Sequence, residues 1–147
     1  MSMEDTMIKN SLIALTLLFA VPAFSCPQLD GVYRCQSNHR VDTKEIYPTQ
    51  NGFEVITNGN YVEYITDNQY YEIDPTDSYE DAFHKSRCQN DKLIVEFKAN
   101  ILYQGSVVAR QRSTTEYQMV GDQLHIERKT RMRRIPMPTV RSVCERI

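Results

Sequence analysis

Apolar and polar residues alternate with a period of two along much of this chain. In Lys92–Tyr103, one face carries Leu93, Val95, Phe97, Ala99, Ile101 and Tyr103. The other carries Lys92, Ile94, Glu96, Lys98, Asn100 and Leu102. That alternation marks an antiparallel strand with one face buried. Similar segments rich in Val, Ile, Thr, Tyr and Phe predict strands near 30–36, 44–50, 53–57, 61–66, 69–73, 86–89, 92–103, 106–119, 123–133 and 139–146. Turn residues separate them. Asn51-Gly52 and Asn58-Gly59 accept positive φ and suit hairpins, and Asp67-Asn68, Asn90-Asp91 and Gly121-Asp122 are further turns. Segment 74–85 breaks the pattern. Ser78-Tyr79-Glu80-Asp81 places an acid three positions after a capping residue, which suits a short helical or irregular piece. The expected fold is all-β: a single antiparallel meander barrel of about 8–10 strands.

The segment 106–119 does not read as an ordinary core strand. Gln111, Ser113, Thr115 and Tyr117 share one face, and Arg110, Arg112, Thr114 and Glu116 the other. Either face is polar in the middle, and a packed core does not accept that without partners. Either the barrel interior is wet or ligand-filled, or this strand overshoots the barrel. The next strand repeats the theme, because Arg128, Thr130 and Met132 are in phase with Leu124 and Ile126. The candidate ligand-binding residues are therefore Tyr33, Leu93, Val95, Phe97 and Arg128. Lys129, Arg131 and Arg133 form a basic patch on the opposite, outward face with His125 and Glu127. Such a patch attracts phosphates, anionic glycans or an acidic partner. The alternatives are neutralisation by carboxylates on the next strand and protection of a sheet edge by charge. Nucleic acid is not expected, because no aromatic residues interleave with the basic ones.

The N-terminal stretch belongs to a different class of sequence. Residues 11–20 read SLIALTLLFA, Lys9 precedes them, and Ala23-Phe24-Ser25 offers a small-x-small cleavage site before Cys26. This is the pattern of a secretory signal peptide over 1–25, leaving 26–147 as a single barrel domain in the periplasm or outside the cell. Glu4 and Asp5 suit the start of such a signal poorly, and Met7 is an alternative start. The apolar run is short for a membrane anchor. Phe24 makes a poor lipidation motif ahead of Cys26. No transmembrane segment is expected in the mature chain.

Export changes the reading of the cysteines. All four, Cys26, Cys35, Cys88 and Cys144, follow the signal, and an even count in an exported chain implies two disulfides. Cys26–Cys35 is disfavoured, because an extended 31–35 carries Cys35 away from Cys26. Of the two pairings left, Cys26–Cys144 with Cys35–Cys88 is the expectation, and the other stays open.

The 147 residues are 41% apolar and 24% charged with a net charge of −2, which fits one globular domain. The charge is uneven. Residues 26–105 hold 13 acidic and 7 basic side chains, and 106–147 hold 4 and 9. Neutralisation between the halves across neighbouring strands is the simplest expectation. Motifs of catalysis are missing: there is no Gly-x-Ser-x-Gly, P-loop or dinucleotide fingerprint, and His39, His84 and His125 form no metal-binding pair. The acidic residues Asp74, Asp77, Glu80 and Asp81 lack the spacing and the glycine of a calcium loop. No metal or cofactor is implied, and a non-catalytic role is expected.

The segment Leu29-Asp30-Gly31-Val32-Tyr33 at the first strand resembles the opening of the lipocalin-like, or calycin, β-barrels. In those families the motif is usually Gly-x-Trp; the aromatic ring closes one end of the barrel and an arginine from the last strand packs over it. Tyr33 stands in the Trp position here, and Arg141 or Arg146 would be the arginine. The lipocalin Thr-Asp-Tyr loop has no counterpart late in the chain, since Thr66-Asp67-Asn68 comes too early. The resemblance implies a barrel that binds a small amphiphilic ligand or an envelope protein. Val32-Tyr33-Arg34-Cys35 is also similar to the Val-x-Tyr-x-Cys strand of bacterial periplasmic lysozyme inhibitors, although their Ser-Gly-x-Arg-Tyr loop is missing. That likeness implies an inhibitor of a periplasmic or secreted hydrolase as the alternative function.

Overall fold

A computed structural model describes residues 26–147; the expected signal segment 1–25 lies outside the described residues. The strands are β1 (Gly31–Ser37), β2 (Arg40–Pro48), β3 (Gly52–Thr57), β4 (Asn60–Ile65), β5 (Tyr70–Ile73), β6 (Tyr79–Gln89), β7 (Lys92–Tyr103), β8 (Ser106–Val120), β9 (Gln123–Met132), β10 (Ile135–Pro136) and β11 (Val140–Arg146). All pairings are antiparallel, in the order β4-β3-β2-β1-β11-β9-β8-β7-β6-β5, with β10 added beside β9. Two meanders, β1–β4 and β5–β9, are therefore joined through β11, which lies between β1 and β9. The sheet curls into a half-barrel. Its concave face carries the apolar set expected for β7, Leu93, Val95, Phe97 and Ala99. Across the gap, Tyr64 of β4 meets His84 of β6 with ring centroids 5.5 Å apart.

Segment 74–85 is not helical. No helix occurs among the described residues, and Tyr79 onward belongs to β6. The physical reason is a bulge: the pairing with β7 shifts between Glu80 and Phe83, and Asp81 takes a positive φ of 47°. A bulge adds a residue to one strand and resets which face each side chain occupies. Ala82 is thereby buried, and the alternation looks broken in the sequence although the strand continues.

The two Asn-Gly turns work differently. Asn58 and Gly59 both take positive φ, 49° and 84°, as a two-residue hairpin between β3 and β4 requires. Gly52 has an ordinary φ and is needed for space: a Cβ there would lie 1.8 Å from the Tyr64 carbonyl oxygen.

The disulfides join Cys26 to Cys88 and Cys35 to Cys144, which corrects the expected pairing. Cys35 and Cys144 are directly opposite one another in the β1–β11 register. Cys26 lies at the start of the described chain and reaches the end of β6. Which strand flanks β1 decides the pairing, and local sequence does not carry that information.

One end of the half-barrel is packed solid. Leu29, Tyr33, Ile46, Leu93, Leu124 and Cys144 are fully buried there. The Tyr33 hydroxyl donates to the Leu29 carbonyl at 2.8 Å, and the Arg146 guanidinium lies 5.6 Å from the Tyr33 ring centroid. Gly31, at φ 149°, sits against that ring; a Cβ there would come within 3.2 Å of it. The Gly-x-Tyr pair, with its arginine from the last strand, is thus a plug at one end of the sheet.

Candidate functional site

Beyond the plug, the concave face opens into a cavity of about 510 Å³, within the size range of small-molecule sites. Strand alternation brings Val95 and Phe97 of β7 to its wall, beside Val62 of β4 and Ile73 of β5. The opposite wall is polar. β8 contributes Gln111, Ser113, Thr115 and Tyr117, and β9 contributes Arg128 beyond Ile126. Both readings of the long β8 strand hold in different parts: 111–117 lines the cavity, and its first residues, 106–108, are exposed.

Two cations meet at this wall. Lys44 of β2 is half-buried and donates from Nζ to Thr57 Oγ1 at 2.8 Å. Burial lowers the Lys44 pKa; Asp42 opposes the shift, and the nearby charges of Arg128 and Arg40 add to it. Asp42 is already engaged, accepting from Arg40 Nε at 2.8 Å and from Asn58 Nδ2 at 2.7 Å. Deeper in, burial pushes the Tyr117 hydroxyl well above its ordinary pKa, with Tyr64 reinforcing the shift. Tyr64 is raised by burial too, with Tyr117 and Arg128 opposing. The cavity therefore has one apolar and one polar wall, with Lys44 and Arg128 among its lining and the lining carboxylate Asp42 already paired with Arg40 and Asn58.

His84 lies between Tyr64 and Tyr71, with ring centroids 5.5 and 6.2 Å away. Burial lowers its pKa below the usual 6.5. Between the folded pKa and 6.5, the unfolded chain then binds a proton that the folded chain does not. Stability should fall as pH falls through this window. Thermal unfolding at pH 7.5 and 5.5 should show a larger loss in the wild type than in His84→Gln. Equal losses would mean that the imidazole is solvated.

Of the residues expected to bind ligand, the structure places Val95, Phe97 and Arg128 on the cavity wall. Tyr33 and Leu93 lie in the packed end below it, both fully buried. Tyr117 was legible as a member of one β8 face; Lys44, Tyr64 and His84 were not legible as cavity residues. They come from strands distant in sequence, and only the curl of the sheet brings them together.

The basic patch divides. Lys129 pairs with Glu127 at 3.4 Å, and Glu127 also accepts from Arg141 at 2.9 Å, which holds its pKa low. Arg131 and Arg133 instead join Arg110, Arg112 and Arg134 around a groove of about 730 Å³. Among the described residues none of these five arginines has a carboxylate within 4 Å, while Glu96 and Glu116 pair with Lys85, Arg87 and Lys92. Edge protection does not explain the cluster, since Arg131 is paired to β8 on one side and to β10 on the other, and β8 itself lies between β7 and β9. Among the described residues, no three His, Cys, Asp or Glu side chains are grouped to hold a metal ion, and no helix is long and apolar enough to cross a membrane.

Fold and site together define a curled antiparallel half-barrel with a plugged end and an open, cationic cavity. Compared with protein-family models, curated proteins and solved structures, the chain matches none.

Proposed function

We propose that this chain is an exported, non-catalytic binding protein of the cell envelope, similar in principle to the calycin barrels, and that it takes a small anionic amphiphile on its concave face. The observation that carries the reading is the pairing of an apolar wall, Val95 and Phe97, with Lys44 and Arg128 across one cavity. Burial and the nearby Arg128 charge make a charged Lys44 costly, and Asp42 is occupied by Arg40 and Asn58. A carboxylate or phosphate head group would offset that cost, with its tail against the apolar wall. The Arg146–Tyr33 plug supports the calycin-like reading. Two disulfides suit an oxidising compartment and so support export.

Thermal shift against a panel of fatty acids and other anionic amphiphiles tests this. The wild type should be stabilised by at least one member, and Arg128→Leu should weaken that ligand at least about tenfold, as loss of a charge-assisted contact implies. Arg128 is itself exposed, so the substitution should change the stability of the free protein by no more than about 0.5 kcal/mol. A wild type that takes up no amphiphile, with Arg128→Leu neutral, removes the reading.

A further inference from the structure

The five-arginine groove lies on the sheet end where the cavity opens. The closed end is marked by Tyr33, Leu93 and Leu124, and the strands run from there to Arg110 and Arg112 on β8 and to Arg131 on β9. Arg112 and Arg131 are directly opposite each other in the β8–β9 register, and Lys98 of β7 faces Arg112 from the other side. Like charges directly across a ladder repel. Two carboxylates lie near this row: Asp81 shares a recess with Lys98, Arg110 and Arg112 but accepts from Asn100 Nδ2 at 3.2 Å, and Glu96 shares another with Lys98 and Arg112 but pairs with Lys85 and Arg87. Arg133 is held in place: its Nε donates to the Val108 carbonyl at 2.8 Å, its Nη2 donates to the same oxygen, and its backbone N–H donates to the Arg110 carbonyl at 3.1 Å. Arg133 and Arg134 both take positive φ, 51° and 65°, so the turn presents two consecutive guanidinium groups.

A second feature accompanies the charge. The hairpins at this end expose Tyr103, Val107 and Val108 between β7 and β8, and Ile135 and Met137 after β9. Tyr103 is 66% exposed and Ile135 62%. The Arg133–Val108 bonds tie the two hairpins side by side. A binding site for soluble phosphate needs the arginines and has no use for exposed apolar tips beside them. An anionic membrane surface uses both: phosphates meet the guanidinium groups while aromatic and aliphatic side chains enter the interface.

We infer that this end of the half-barrel docks on a membrane leaflet rich in anionic phospholipid, with Arg110, Arg112, Arg131 and Arg134 on the phosphates and Tyr103 and Ile135 in the interface. The inference stands on the arginine groove and the exposed hairpins, and does not require the proposed amphiphile to be the ligand.

Co-sedimentation of residues 26–147 with vesicles tests it. Vesicles of phosphatidylcholine with one-third phosphatidylglycerol should carry the protein down, and pure phosphatidylcholine vesicles should not. Each basic residue near an anionic surface is worth roughly a fivefold change in partition, so Arg112→Gln with Arg131→Gln should weaken binding about 25-fold. Ile135→Ser, a change at an exposed site, should weaken binding while leaving the fold intact by circular dichroism. Raising the salt from 0.05 to 0.5 M should reduce binding, because exposed charges are screened. Equal partition into both vesicle types overturns the inference. So does binding of tripolyphosphate or heparin without binding of anionic vesicles, which would assign the groove to a soluble polyanion. An unchanged partition of the double arginine variant overturns it as well.

Discussion

Replacing Cys35 and Cys144 together by alanine is expected to lower the free energy of unfolding by about 4–5 kcal/mol, as chain entropy predicts for a bridge closing a loop of about 100 residues. The bridge spans a sequence separation of 109 and ties the first strand to the last. Both half-cystines are buried in the core cluster, so their removal also costs packing. A single domain of this size holds about 5–15 kcal/mol in all, so the variant should be close to unfolding at physiological temperature. Urea unfolding of the oxidised proteins measures the difference. The single variant Cys35→Ala tests the pairing itself. Its unpaired thiol should map to Cys144 after alkylation under denaturing conditions. A free thiol at Cys88 would show the other pairing.

Tyr33→Ala is expected to cost a further about 3–5 kcal/mol, the range for removing a large buried aromatic side chain. The ring fills the closed end between Gly31 and the Arg146 guanidinium. Tyr33→Phe separates the ring from its hydroxyl. It keeps the volume and leaves the Leu29 and Asp30 carbonyls, at 2.8 and 3.2 Å, without that donor. The expected loss is about 1–2 kcal/mol, the cost of a buried acceptor left unpaired. Equilibrium denaturation of both variants gives the two numbers. An alanine variant within 1 kcal/mol of the wild type, on the scale of an ordinary surface change, would mean that Tyr33 does not plug the sheet.

The existence of the strands and the phase of β7 and β9 were readable because alternation reports burial directly. Lys92–Tyr103 turned Leu93, Val95, Phe97 and Ala99 inward as its pattern required. The same logic put Arg128 on the inner face with Leu124 and Ile126, and the structure places it on the cavity wall. The logic failed at β6, where the bulge at Asp81 reset the phase and a real strand looked aperiodic. The patch Lys129, Arg131 and Arg133 was legible as a run along one strand. Its regrouping was not, because Arg110 and Arg112 belong to the neighbouring strand and Lys129 is drawn off by Glu127.

The sequence by itself determined the all-β class, the inward phase of β7 and β9, the even cysteine count and the polar middle of the β8 strand. These follow from local spacing, since successive side chains on a strand point to opposite faces wherever that strand lies. Only the tertiary structure decided which strands are neighbours. Placing β11 between β1 and β9 set Cys35 against Cys144 and Arg146 over Tyr33. Curling the sheet brought Lys44, Tyr64 and His84 to the cavity that Arg128 lines. Pairing across strands is a contact between residues far apart in sequence, and no periodicity within one strand encodes it.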